Sequence, residues 1–392
     1  MPSIFHSLIK DDPGVSCGGV GDLARPVDPD AERPRPLAMR PNPGEPVDWY
    51  RTPLPRETLA ALNRRSDAKG AAQTLGFLGL LLLSGGAAWF SSHHYPWPMT
   101  LLLLFVHGSF YGFTINAVHE LSHRSVFRSK WLNDTFVYVF GFLGMHSVVY
   151  FRYSHLLHHL YTLHPPDDLE VVLPLEYDFR CFLKTAFINP RGVRFKLQGL
   201  IRWCRGRFAE GYESDILFPE TEPKRRQAVI RETRLYVAGH LLLVLVSLLT
   251  GQWILILLVT LGTFYGSWLL FLCNNTQHVG LMDNVPDFRL CTRTFLLHPF
   301  LRFLYWHMNY HIEHHMYAAV PCYNLRKLHE AIRHDIPPVS DGLVATWREI
   351  IAIMRRQNED PTWQHRVTLP ASANPPREFL PRPDRKAEPV PA

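Results

Sequence analysis

The sequence predicts an all-α integral membrane protein: four transmembrane helices in two hairpins, plus a cytosolic helical cap carrying a histidine-rich dimetal site. Three observations carry that prediction. Four apolar runs free of Asp, Glu, Lys and Arg come in two close pairs. Three short stretches place histidines at i, i+3 or i+4, on one face of a helix. Basic residues crowd the outer ends of the paired runs and are missing from the tips between them.

Averages hide this pattern. Over 392 residues the apolar fraction is 47%, and the polar ends dilute a strongly apolar middle. The net charge of +6 is unevenly placed, which fits membrane topology and lipid headgroups and gives no reason to expect a nucleic-acid partner. None of the six cysteines forms a C-x-x-C pair, so a reducing compartment is expected, with neither disulfides nor a zinc ribbon. The first 70 residues hold no apolar run, so insertion is expected to use internal segments and no signal peptide.

Residues 1–54 read as a disordered Pro-rich tail, 55–366 as the membrane domain, and 367–392 as a second disordered Pro-rich tail. Pro55 to Arg65 predicts a short helix at the membrane surface or on the protein body. The first hairpin is 75–92 and 98–118, joined by His93-His94-Tyr95-Pro96-Trp97, whose aromatics suit an interfacial belt. Its second run ends directly at His119. The apolar stretch 135–151 lies between two histidine clusters that should share a side, so it is expected as a re-entrant or interfacial helix. The second hairpin is 235–249 and 253–273, turned at Thr250-Gly251-Gln252 and followed by Asn274, Asn275 and His278. Phe295 to Trp306 is expected as a surface helix leading into the last cluster. Neither hairpin tip carries Lys or Arg, whereas eleven lie between Arg191 and Arg234. By the positive-inside rule, both termini, the 160–234 loop and all histidine clusters face the cytosol. The expected location is multi-pass in a bacterial inner membrane.

The clusters are His119-Glu120-Leu121-Ser122-His123, His155-Leu156-Leu157-His158-His159 and His311-Ile312-Glu313-His314-His315. With His278 they give nine imidazoles. A single structural zinc takes four ligands, so nine suggest two ions. All-nitrogen donors favour Fe, Cu, Zn or Ni over Mg or Ca. Glu120 and Glu313 are candidate acceptors for ligand N–H groups, although as sequence neighbours they can equally point away. The carboxylates of the stretch His164 to Glu170, Asp167 and Asp168 foremost, are candidates for the same role, for meeting a polar substrate head, or for a solvated loop capping the site. A lone histidine in a helix is usually a packed residue, and His107, His146 and His240 are read that way.

HELSH at 119–123, HLLHH at 155–159 and HIEHH at 311–315 resemble the three histidine boxes of the membrane fatty acid desaturase superfamily, over about residues 70 to 335. That resemblance implies a di-iron (Fe2+) centre using O2 and two electrons to attack an unactivated C–H bond. It implies His278 as a further ligand and Asn274 as a ligand through water, with Asn275 as the alternative. Met316-Tyr317-Ala318-Ala319 lacks the proline that often follows the third box, and the NYxEHYG motif of the alkane and xylene hydroxylases is absent. No HPGG signature of a cytochrome b5 domain is present. Electrons are therefore expected from a separate ferredoxin, or from a b5-type protein with its reductase. The leading reading is desaturation of an aliphatic chain of fatty acyl or lipid type; the alternative is hydroxylation, or desaturation of a small non-acyl metabolite as in the branch resembling dihydrorhizobitoxine desaturase. A metal transporter is the third reading, disfavoured because transporters hold ligands near the bilayer midplane.

Overall fold

The computed structural model describes residues 43–377, apart from 172, 175–176, 178–181 and 184–185. The predicted tails at 1–42 and 378–392 lie outside the described residues. The described chain is mostly helical. Two two-residue strands, Phe295–Leu296 and Ser340–Asp341, pair in parallel.

Helix α1 is Arg56–Leu62 and α2 is Asp67–His94. Ser66 caps α2 by accepting the Lys69 N–H at 3.3 Å, and Asp67 places a negative charge in the first turn. The helix stops at Tyr95, held extended before Pro96. Helices α3 (Trp97–Tyr111) and α4 (Thr114–Ser122) follow, with Pro98 in the first turn of α3. Then come α5 (Lys130–Gly144), α6 (Val148–Tyr161), α7 (Pro190–Cys204) and α8 (Pro223–Leu249). Three stretches are long and apolar enough to cross a membrane: Asp67–His94, Trp97–Ser122 and Pro223–Leu249. A fourth is counted if α5 and α6, bent by 104°, form one span. The bend falls at Met145, whose φ is 50°, inside the 135–151 run expected as one helix. Leu82 and Leu83 are each 75% exposed and Leu249 is 77% exposed, surfaces that only a lipid environment makes favourable.

The expected fourth span, 253–273, is a correction: it is not one helix. Ile256–Thr260 is π-helical, Gly262–Phe264 is 3-10, and the longest α-helical stretch is Trp268–Asn274 (α9). A broken backbone inside an apolar layer must find partners for its freed carbonyls. Three neighbouring side chains provide them. Tyr265 OH donates to the Leu257 carbonyl at 3.0 Å, His107 Nε2 to that of Leu258 at 3.0 Å, and Tyr111 OH to that of Val259 at 2.9 Å. His240 contacts the Thr260 hydroxyl at 3.2 Å and donates through Nε2 to the Phe142 carbonyl at 2.9 Å. His107 and His240 are thus packed residues with a definite task. Gly108 permits the close approach: a Cβ there would sit 2.4 Å from the Tyr265 carbonyl oxygen.

Short helices complete the chain: α10 (Phe288–Cys291), α11 (Pro299–Leu304), α12 (His311–Met316), α13 (Leu325–Ile332) and the longer α14 (Gly342–Glu359). The main core gathers Leu121, Phe140, Phe288, Tyr305, Trp306 and Ile312, all at most 2% exposed, around the histidine helices. The hairpin tips touch one another. Trp89 Nε1 donates to Gln252 Oε1 at 2.7 Å, and Trp97 stacks on Trp253.

The described parts of the predicted tails are packed, a second correction. Trp49 is 7% exposed, stacks on Phe288 with ring centres 4.0 Å apart, and donates to the Leu160 carbonyl. Arg51 Nε donates to the Met316 carbonyl at 2.7 Å, beside the third histidine box. From the other end, the Asn374 and Pro375 carbonyls accept from Arg289, which is itself fully buried between Asp287 and Asp335. These segments are extended and carry isolated aromatics without periodicity, so nothing in their pattern signals burial.

Candidate metal centre

The four histidine-bearing segments converge from different parts of the chain. Helix α4 and its C-cap supply His119 and His123, α6 supplies His155, His158 and His159, α12 supplies His311, His314 and His315, and the turn after α9 supplies His278. They sort into two groups that cut across the sequence clusters. His119, His123, His155, His159 and His314 form one; His158, His278, His311 and His315 form the other. Within each group the ligand nitrogens lie within 4.8 Å of one another, and each could hold a metal ion. Neighbouring i and i+1 residues of α6 and α12 divide between the groups because 100° of rotation separates them on the helix.

The imidazoles are aimed. His155 Nδ1 lies 2.8 Å from Glu170, His158 Nδ1 lies 2.9 Å from Asp168, and His119 Nδ1 lies 2.9 Å from Glu120. His278 Nδ1 donates to the Cys291 carbonyl at 2.9 Å. The Thr162 hydroxyl donates to the His158 carbonyl and so accepts from His315 Nδ1 at 3.2 Å. A carbonyl or carboxylate only accepts, so Nδ1 carries the proton and the Nε2 lone pair is left for the centre.

Those Nε2 atoms crowd together. His155 Nε2 lies 3.1 Å from His123 Nε2 and 2.9 Å from His159 Nε2. His311 Nε2 lies 2.9 Å from His278 Nε2 and 3.1 Å from His315 Nε2. With His278 and His315 both anchored as Nδ1 donors, two lone pairs meet at His311, whose Nε2 has at most one proton. Metal–nitrogen bonds of about 2.0–2.1 Å put neighbouring ligand nitrogens roughly 3 to 3.4 Å apart, so the spacing suits a shared cation. His119 Nε2, His311 Nδ1 and His314 Nδ1 are buried and lack a hydrogen-bond partner, an arrangement that costs free energy until something binds there. The donor set fits a metal.

Burial favours the neutral form of most of the ligands, although Asp168 outweighs it at His158 and raises that imidazole. Burial pulls His278 down to about 3, and, with the surrounding imidazoles, holds His311, His314 and His315 well below the ordinary imidazole range. Asp168 is pushed up by burial, but His158 and the Leu163 and Glu170 backbone N–H groups outweigh this and hold it below the usual carboxylate range. Burial pushes Glu170 up to about 7, so Asp168 is the partner held ionised, and neutral imidazoles with an ionised carboxylate nearby suit a cation.

The remaining predicted residues divide. Glu120 bonds His119 and approaches His314 Nδ1 to 3.5 Å. Glu313 does not face the ligands: Thr294 donates to it at 2.5 Å and His329 Nδ1 bonds it at 2.5 Å. It stands two residues after His311, on the opposite face of α12. Asp167 accepts the Gly44 backbone N–H at 2.9 Å. Asn274 Oδ1 accepts from Asn116 at 3.3 Å, whereas Asn275 Oδ1 accepts from Tyr177 at 2.7 Å. Thr162 and the Cys291 carbonyl are contacts that residue spacing does not reveal, and Glu170 joins Asp168 from the acidic stretch expected to orient ligands.

A family model described as fatty acid desaturase matches residues 95–347, which takes in all nine histidines. The chain belongs to the fatty acid desaturase family. No curated protein matches the chain. Membership makes this desaturase-family chain an oxidoreductase of the membrane, with a lipid or acyl type of substrate. The match reaches back to the first hairpin tip at Tyr95 and forward into α14.

Proposed function

We propose that the protein is a di-iron, O2-dependent desaturase that introduces a double bond into an aliphatic chain, of fatty acyl or lipid type. One observation carries this reading: two groups of five and four imidazoles, seven of the nine buried, side by side, within a fatty acid desaturase match. In this reading His119, His123, His155, His159 and His314 hold one Fe2+, and His158, His278, His311 and His315 hold the other, with Asn274 reaching it through water. Iron would supply the O2 activation and one-electron chemistry that an unactivated C–H bond demands.

The residues of the chain do the rest. Glu120, Asp168 and Glu170 hold their histidines by Nδ1, fixing tautomer and direction before any substrate arrives. Phe151, Phe288 and the core around α12 keep bulk water from the imidazoles, so oxidising power is not lost to solvent. Removing two hydrogens from the alkyl chain while reducing O2 to two waters takes two further electrons and two protons. A separate ferredoxin or b5-type carrier supplies the electrons. The charge pattern supports four crossings in two hairpins, the last through the broken 253–273 segment, with the helical cap, the site and both termini on the cytosolic side of a bacterial inner membrane.

The test is expression in a host with lipid profiling, paired with iron analysis of the purified protein. A new double bond and about two irons per chain are expected. Exchangeable zinc with an unchanged lipid and metabolite profile would overturn the reading.

A further inference from the structure

A cleft of about 890 Å³ opens between α1, the first turn of α2, Arg128 and the start of α13. It is lined by Arg64, Arg65, Lys69, Arg128 and Lys327, and its only lining carboxylate among the described residues is Asp67. None of these belongs to the histidine groups.

The walls are preset. Buried Asn324 donates through Nδ2 to the Leu62 carbonyl at 2.8 Å and to that of Arg64 at 3.4 Å, tying α1 to α13. Tyr323 OH accepts the Ser66 N–H at 2.8 Å and donates to the Val126 carbonyl at 3.1 Å. Gly70 is pressed so close to Val126 that a Cβ would lie 2.7 Å from its carbonyl oxygen. Asp67 is already occupied by the Ser129 N–H at 2.9 Å and its hydroxyl at 2.8 Å, and makes a long ion pair with Arg128 at 3.9 Å. The other four cations of the lining, Arg64, Arg65, Lys69 and Lys327, face that one engaged carboxylate and repel one another, and an anion relieves that repulsion. The N-terminus of the 28-residue α2 adds partial positive charge at the same place. The uncharged run of α2 begins at Leu75, eight residues past Asp67 and so roughly 12 Å along the helix. That puts the cleft at headgroup level.

We propose that this cleft binds the phosphate group of an anionic ligand at the membrane boundary. A lipid headgroup and a soluble phosphate ester share that chemistry. The proposal stands apart from the catalytic reading, because it is read out by binding and not by turnover.

The experiment uses the full chain in detergent. Native mass spectrometry counts retained phosphatidylglycerol against phosphatidylcholine, and inorganic pyrophosphate is added as competitor. Phosphatidylglycerol is expected to be preferred. Each cation near the surface is worth roughly fivefold, so Lys69→Gln with Lys327→Gln should weaken retention more than about tenfold. Both lysines are exposed, so the thermal melt should not move. Lys69→Arg with Lys327→Arg should restore binding. Displacement by pyrophosphate assigns the site to soluble phosphate esters; retention of lipid against it assigns the site to headgroups. Equal retention of the two lipids together with no binding of pyrophosphate, or binding undiminished in the glutamine variant, overturns the proposal.

Discussion

Glu170 and Glu313 make opposite uses of the same side chain, and the difference is testable. Glu170 bonds His155 Nδ1, so Glu170→Gln should lower metal affinity by roughly 10- to 100-fold, read by chelator competition. Glu313 instead joins Thr294 to His329, so Glu313→Gln should leave metal content near normal and cost about 1–3 kcal/mol of stability in a detergent melt. Alanine at His158 or His314 should abolish activity while membrane insertion persists; full activity in both would refute the two-metal reading. The pH behaviour follows from burial. His278, His311, His314 and His315 are held neutral when folded, whereas in the unfolded chain imidazoles protonate near about 6.5. As pH falls through that value, the unfolded state takes up protons that the folded site refuses. Metal-free protein should therefore lose stability from about pH 6.5 downward, whereas bound metal should be kept to lower pH for as long as the fold persists, because the folded ligands stay neutral there. A melting temperature flat from pH 7.5 to 5 would contradict this. The histidine boxes were legible because i, i+3 and i+4 spacing is a property of the helix itself. Glu170 was legible only as part of an acidic stretch, because the path of a loop decides which carboxylate meets which histidine.

At the scale of elements, the 256–264 break is the feature with the clearest energetics. Its carbonyls depend on His107, Tyr111 and Tyr265. Tyr111→Phe removes one donor, which also bonds the Leu143 carbonyl at 3.0 Å, and should cost about 1–3 kcal/mol. Gly108→Ala forces the Tyr265 backbone away and should lower the melting temperature by more than Tyr111→Phe does. Equal melts for both variants and wild type would mean the break tolerates unpaired carbonyls. An apolar run of 21 residues reads as a straight span by composition, since hydropathy counts side chains and is blind to where carbonyls point. His107 and His240, two ring donors inside apolar helices, were the only sequence sign that a neighbouring backbone needed them.

For the whole molecule, both ends of the described chain meet at Arg289. The guanidinium is buried against Asp287 and Asp335, stacks over Tyr50 at 3.8 Å, and takes the Asn374 carbonyl. Arg289→Ala leaves two buried carboxylates unpaired, a loss of about 3–5 kcal/mol, and should expose both ends to limited proteolysis. Cleavage unchanged from wild type would show that the strap holds without it. Topology is checked by cysteine labelling. A thiol at Ser92 or Gln252 should react from the non-cytosolic side, and one at Arg205 from the cytosolic side.

By itself, the sequence determined the helical membrane class, the nine histidines and their family, because helical periodicity, apolar length and charge placement are local quantities. Only the tertiary structure decided how those histidines divide five and four, which carboxylates aim them, that the last apolar run is broken, and that the described flanks of the membrane domain are packed. Each of those depends on which atoms face one another across distant parts of the chain. Hydrogen-bond partners and burial exist only once the chain has closed on itself.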